Sequence, residues 1–263
     1  MIGTSRTGGS APPGYERLRR SGVETVARSS LAGPVSEALS AGSLYDYAAH
    51  HPEARAMRGR GVSYAVPLPD GSTRVVIRRS RHGGWLAPLT GEIFLAPTRA
   101  PHELQVSLRL AREGIPTPEV VAYCTYEVGP LLRRADVATR EVANANDLAG
   151  LLEGDRDPAV VRDAVRVVAR LLARMAVAGV RHPDLNVRNV LIARDDNGHR
   201  EAWLLDVDRV WFDTPRHPRV REANLSRFAR SARKLREREG LPVGDGEMAL
   251  LSVLAREEEE ALP

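Results

Sequence analysis

Apolar and polar positions over 62–78, "VSYAVPLPDGSTRVVIR", form two β-branched and aromatic runs around Pro69-Asp70-Gly71, a pattern that predicts a hairpin. "ELQVSLRLAREG" (103–114) has helical spacing and stops at Gly114; "IPTPEVVAYCTYEV" then predicts a strand. "ADVATREV" (135–142) predicts another strand, leading into "ANANDLAGLLE", where Asn146 or Asp147 is placed to cap a short helix. The clearest helix covers 158–179. Its apolar face is Val161, Ala164, Val165, Val168, Leu171, Leu172 and Met175, and Arg162, Arg166, Arg170 and Arg174 make a solvated stripe opposite. "NVLIAR" and "EAWLLDVD" predict a strand pair joined by "DDNGHR", with Asn197-Gly198 as the turn. Residues 221–239 read as a basic helix, and "EEEEALP" as a solvated tail. Residues 1–40, rich in Gly, Ser, Pro and Arg with little periodicity, predict a flexible arm. Strands dominate early and helices late. The expectation is an α+β chain, with a β-rich N-lobe over 41–142 and a mostly helical C-lobe over 143–263.

Composition narrows this picture. The chain has 263 residues, 43% hydrophobic, enough for a sizeable core in one two-lobed domain or two small ones. One cysteine, Cys124, excludes an intramolecular disulfide and a cysteine metal cluster, and suits a reducing, cytoplasmic setting. The N-terminus lacks the apolar core of a secretory signal, and no stretch approaches the roughly 18–20 apolar residues of a membrane span. Net charge is +4, and every basic residue but Lys234 is an arginine, so chemistry that needs a lysine must use that one residue or do without.

The candidate chemistry lies in "RHPDLNVRNVLI" (181–192) and in "DVD" (206–208). A long helix delivers the chain to Gly179 and a two-strand ribbon carries it away, so Asp184, Asn186 and Asn189 fall in a loop between rigid elements. The ribbon is short, and its end returns Asp206 towards that loop. A carboxylate beside an amide oxygen suits Mg²⁺, which keeps several waters and takes one or two protein carboxylates together with substrate phosphates. A loop asparagine and the returning carboxylate would hold the ion, leaving Asp184 free to accept a proton from an attacking hydroxyl.

This layout resembles the phosphoryl-transfer site of the protein-kinase-like superfamily. "HPDLNVRN" matches its H-x-D-L-x-x-x-N loop, and "LLDVD" stands where its Asp-Phe-Gly segment belongs. The resemblance implies ATP as phosphate donor, Asp184 as catalytic base, and metal held by Asn189 and Asp206. Upstream, "RGRGVSY" offers Gly59 and Gly61 for close approach to phosphates, and "RVVIRR" stands where the strand lysine is expected. Position 78 is arginine, always protonated and able to engage phosphate oxygens with two donors, and Glu103 on the next helix would set its direction. "TREVANA" falls at the hinge, with backbone groups of Glu141 and Val142 as candidates for the adenine.

A closer resemblance is to the lipopolysaccharide kinases of Gram-negative bacteria that act on 3-deoxy-D-manno-octulosonic acid (Kdo). "VIRRSRHGG", "LAREGIPTPEVVAY", "LLDVDR" and "REANLSRFARSARKL" carry it over about 55–240, with Val207 in place of a phenylalanine. Arginine at 78 is then a family trait. The resemblance implies transfer of the ATP γ-phosphate to the 4-hydroxyl of Kdo on Kdo–lipid A, at the cytoplasmic side of the inner membrane. Arg221, Arg227, Arg230, Arg233, Lys234, Arg236 and Arg238 would offer the anionic leaflet a docking face, the alternative being an arginine-biased helix that simply faces water. Scarce aromatics argue against a nucleic-acid partner. Two other readings stand beside this one: a kinase for a core heptose, a small molecule or a protein in the manner of the RIO family, and a nucleotide-binding pseudokinase, suggested by the missing lysine.

Overall fold

The computed structural model describes residues 10–58, 61–80, 94–155 and 157–263, with the side chain of residue 58 also left aside. Gly59, residues 1–9 of the expected arm, and the "RHGG" stretch at 81–84 lie outside the described residues. The chain divides into two compact units, residues 1–104 with 119–141, and residues 105–118 with 142–263.

The first unit is built on one antiparallel sheet. Its strands are β1 (Tyr15–Arg20), β2 (Val23–Arg28), β3 (Arg55–Arg58), β4 (Val62–Pro67), β5 (Arg74–Arg79), β6 (Phe94–Leu95), β7 (Val120–Glu127) and β8 (Leu132–Arg140). They run in the order β1-β2-β7-β8-β5-β4-β3, with β6 on β8. The hairpin predicted at 62–78 is β4–β5, in which Asp70 closes the turn by accepting from the Ser72 and Thr73 amides. β7 is a continuous buried run from Val120 to Cys124, as expected of a strand covered on both faces. Its side chains join Ala27, Val35, Leu44, Val66, Val75 and Ile77 in this unit's core.

Residues 15–40 are not the expected arm. β1 and β2 form a hairpin added to β7, and the helix Ala32–Ala38 follows with Val35 and Ala38 buried. Its turn is Ser21-Gly22, both at positive φ (47° and 76°), the geometry two-residue hairpin turns require. Tyr15 is buried and donates its hydroxyl hydrogen to the Val120 carbonyl at 2.7 Å. A composition rich in Arg and Gly hid this because an edge hairpin needs few buried residues: Tyr15, Val26 and Ala27 suffice.

The second unit is mostly helical. The helix Pro158–Val177 is its axis, with Asp157 as N-cap and proline at its first position, where the missing N–H costs nothing. Val161, Val165, Val168, Leu172 and Met175 are buried as the spacing predicts; Arg162, Arg166 and Arg170 face water. Asp147 caps the helix Leu148–Gly154 by accepting from Gly150. β9 (Ala145–Asp147), β11 (Val190–Arg194) and β12 (Arg200–Leu204) form one small sheet, and β10 (Val180–Arg181) pairs with β13 (Trp211–Phe212). The helices Pro218–Glu239 and Asp245–Ala261 complete the unit, both packed on Pro158–Val177.

The C-terminal acidic stretch is a correction to the solvated-tail expectation. It is helical to Ala261, and Leu251, Ala255 and Glu259 form one buried stripe at four-residue spacing. Glu259 is tolerated there because Arg221 donates to its carboxylate at 2.8 Å. A glutamate at the third position of the stripe masks its apolar character in the sequence.

Gly179 joins the long helix to β10 and sits at φ +70°; a Cβ there would meet the Asp213 carbonyl oxygen at 2.2 Å. Backbone strain and clash act together, so Gly179→Ala should destabilise the chain by at least about 2 kcal/mol in urea denaturation. Unchanged stability would show that the β10–β13 contact yields easily.

Candidate functional site

The loop from His182 to Asn189 is held at both ends by one helix. Asn224, buried on Pro218–Glu239, accepts from the His182 amide at 3.2 Å and donates to the Val180 carbonyl at 2.8 Å. Two turns further along the same helix, Ser231 accepts from the Val187 amide at 3.2 Å. Between these clamps the loop bonds to itself. The Asp184 carbonyl accepts from Asn186 Nδ2 at 2.8 Å and Asn189 Nδ2 at 3.1 Å, and Asn186 Oδ1 caps the turn Val187–Asn189 through the Arg188 amide. Leu185 and Val187 are buried and anchor the loop from below.

The ribbon returns as the spacing predicts. Val190 pairs with Leu204, and the Leu205 amide donates to the Asn189 carbonyl at 2.8 Å. Asp206 follows at once in the left-handed region (φ 57°, ψ 52°), a conformation that a non-glycine residue holds only when its surroundings impose it. It opens the turn Val207–Arg209, anchored by buried Val207. Asp184 therefore touches Asn189 directly, and Asp206 is tied to Asn189 through its neighbour. With Asn189 Nδ2 committed to Asp184, its Oδ1 is an oxygen donor, and Asp206 supplies a carboxylate. Both are the hard oxygen type that suits Mg²⁺. Among the described residues, no three His, Cys, Asp or Glu side chains gather as a metal site.

Two cations flank Asp184 that sequence reasoning missed. Arg209 NH1 lies 2.5 Å from its Oδ2, and Arg227 NH2 lies 3.6 Å from its Oδ1. Arg209 directly follows the "DVD" segment. Arg227 shares a helix face with Asn224 and Ser231, at offsets of three and four residues, so a polar stripe along 218–239 was the available signal. The expected basic docking face is correspondingly thinner: Arg221, Arg227 and Arg236 bind Glu259, Asp184 and Asp245. Arg230, Arg233, Lys234 and Arg238 remain exposed.

In the first unit, Arg78 on β5 meets Glu103 on the helix Ala100–Arg112, NH2 to Oε1, at 2.6 Å. Glu103 is buried, so the pair exchanges water for charge-assisted contact. Gly61 lies at the bend entering β4. The Glu141 amide is already used, donating to the Arg74 carbonyl at 3.0 Å, while its carboxylate holds Arg74 and Arg55. Its N–H is thus engaged within its own unit. The boundary between the two units falls between Glu141 and Val142.

The lipopolysaccharide kinase (Kdo/WaaP) family matches residues 59–245, most of the chain. The chain belongs to that family. It is 29% identical to the 3-deoxy-D-manno-octulosonic acid kinase of Vibrio parahaemolyticus serotype O3:K6, covering 67% of this chain and 71% of that protein. The enzyme of the same name from Xanthomonas campestris pv. campestris (strain B100) is 34% identical, covering 68% of each. A solved structure of WaaP in complex with acyl carrier protein aligns over 78% of this chain and 89% of that one, at 19% identity and a TM-score of 0.47. Membership rests on the sequence matches. In this lipopolysaccharide kinase, no helix among the described residues is long and apolar enough to cross a membrane.

His182, the first residue of the loop motif, is buried, with Nε2 3.2 Å from the Leu205 carbonyl. Burial holds its imidazole below the ordinary histidine value, outweighing the Leu205 contact and the nearby carboxylates. On acidification the unfolded chain takes up this proton first. The stabilisation is full above the ordinary value of 6.5 and is lost as pH falls below it. Melting temperature should therefore drop between about pH 7 and 5, and His182→Gln should flatten that drop. An equally steep drop in the variant would assign it to other groups.

Proposed function

We propose that this chain is an ATP-dependent kinase that phosphorylates a sugar hydroxyl of the lipopolysaccharide inner core, the 4-hydroxyl of Kdo on Kdo–lipid A. The observation that carries the reading is the loop itself. Asp184, Asn189 and Asp206 stand on a backbone fixed by Asn224, Ser231 and the Leu205–Asn189 bond, and the side chains of Asn189 and Asp184 are held in turn by the Asp184 carbonyl and by Arg209.

In this reading Asp184 takes the proton of the acceptor hydroxyl as its oxygen attacks the γ-phosphorus. The bond from that phosphorus to the β–γ bridging oxygen breaks, and ADP leaves with the electron pair. Arg78, aimed by Glu103, binds the nucleotide's α/β-phosphates, a role that suits the always-charged, planar guanidinium fork. Gly59 and Gly61 let the backbone approach phosphate, and the Glu141 carbonyl with Val142 meets the adenine. Asn189 Oδ1 and the Asp206 carboxylate hold Mg²⁺, which supplies charge neutralisation at the phosphates. Arg230, Arg233, Lys234 and Arg238 hold the protein on the anionic cytoplasmic leaflet, each contributing about 1 kcal/mol at low salt.

The same geometry serves a core heptose or another alcohol, so acceptor identity decides between kinase readings. The intact base and metal donors weigh against a pseudokinase. With radiolabelled ATP and purified Kdo–lipid A, Asp184→Asn should lower transfer by at least about 10³-fold while retaining nucleotide binding. Near wild-type turnover would remove Asp184 from the mechanism. Arg78→Ala should cost at least about 10²-fold in kcat/KM, the scale of losing one positioned charge, and full activity in that variant would refute its phosphate role.

A further inference from the structure

Asp184 has more cationic partners than one carboxylate needs. Two guanidinium groups meet one carboxylate, and among the described residues Asp184 is the acid that each of them meets. A single arginine is enough to fix the orientation of a carboxylate, and Arg209 does so at hydrogen-bonding distance. Arg227 stands 3.6 Å away, close enough for attraction but too far for a hydrogen bond. Its buried Nε has no hydrogen-bond partner among the described residues, so the exposed part of the fork is what an incoming group would meet. Each guanidinium carries five donors in a planar fork, and Arg209 and Arg227 commit few of them. Both side chains are partly open to solvent, 48% and 37%, so an incoming group can reach them. They also approach different oxygens of Asp184 and thus stand on its two sides.

This arrangement suits a second oxyanion. Carboxylate and phosphate both match a guanidinium fork, and bridging two arginines would satisfy donors that Asp184 alone leaves idle. We propose that Arg209 and Arg227 form an oxyanion subsite for the acceptor. The kinase then prefers acceptors that carry a carboxylate or phosphate close to the hydroxyl being phosphorylated. This rests on Asp184 being the base, because the subsite is defined by its distance from that carboxylate. It accounts for two arginines the phosphate-transfer roles leave unused, and it places selectivity for an acidic sugar on the C-terminal side of the loop.

The full chain is assayed with ATP and three acceptors: Kdo–lipid A, the same glycolipid with its sugar carboxylates converted to primary amides, and the glycolipid stripped of its lipid phosphates. The readout is the kcat/KM of the native acceptor divided by that of each altered one. Wild type should favour native acceptor over one altered form by about tenfold or more, and Arg227→Gln should bring that ratio close to one. Arg209→Gln, on an exposed turn, should do the same and guards against a folding defect on the helix. Collapse of the amide ratio identifies the carboxylate as the bound group; collapse of the other identifies the phosphate. Ratios that match wild type in both variants overturn the subsite, even if overall rates fall. A wild-type chain that phosphorylates none of the three, or an Asp184→Asn chain of full activity, removes the functional reading itself and the subsite with it.

Discussion

The site depends on one buried amide. Asn224 is the polar group that binds the chain on both sides of Arg181, through Val180 and His182, and its burial leaves the contact no competition from water. Without it, two backbone groups would face an apolar interior formed by Val180, Leu185 and Phe228. Everything aimed by the loop follows from this: the Asp184 carbonyl between two asparagine amides, the Asn189–Leu205 bond, and the left-handed start of the turn at Asp206. Helix Pro218–Glu239 thus acts as the template on which the loop is cast. The same helix carries Arg227 beside the carboxylate it helps to position.

Arginine runs through both units in place of lysine, with physical consequences. At position 78 a planar guanidinium meets buried Glu103. Around Asp184 two guanidinium groups share one carboxylate, and at Glu141 two more hold a carboxylate just after β8. Arg221 makes a buried glutamate possible on the last helix. Abundant arginine, read from composition alone, looks like an undirected bias. In the fold several of these side chains have a definite carboxylate and a definite geometry.

Long periodic elements were legible in the sequence. The stripe of Val161, Val165, Val168 and Leu172 declared its helix, and Asp70-Gly71 and Asn197-Gly198 declared their hairpins, because periodicity and turn chemistry are local properties. The loop motif was legible too, since its residues act within eight positions. The first hairpin was not. Its evidence is spread over Tyr15, Val26 and Ala27, whose burial exists only once β2 pairs with β7, about a hundred residues later in the chain. The C-terminal stripe failed for a related reason: Glu259 reads as solvated until Arg221 is beside it.

The sequence by itself determined the order of the long periodic elements, the family, and the loop motif that singles out Asp184, Asn189 and Asp206, with Arg78 and Glu103 upstream. Only the tertiary structure decided what surrounds them. Arg209 and Arg227 reach Asp184 across 25 and 43 positions of chain, and Asn224 reaches His182 across 42. Nothing in local spacing encodes such meetings. They arise because burying the apolar face of helix Pro218–Glu239, through Val220, Phe228, Ala232 and Leu235, turns its polar stripe towards the loop.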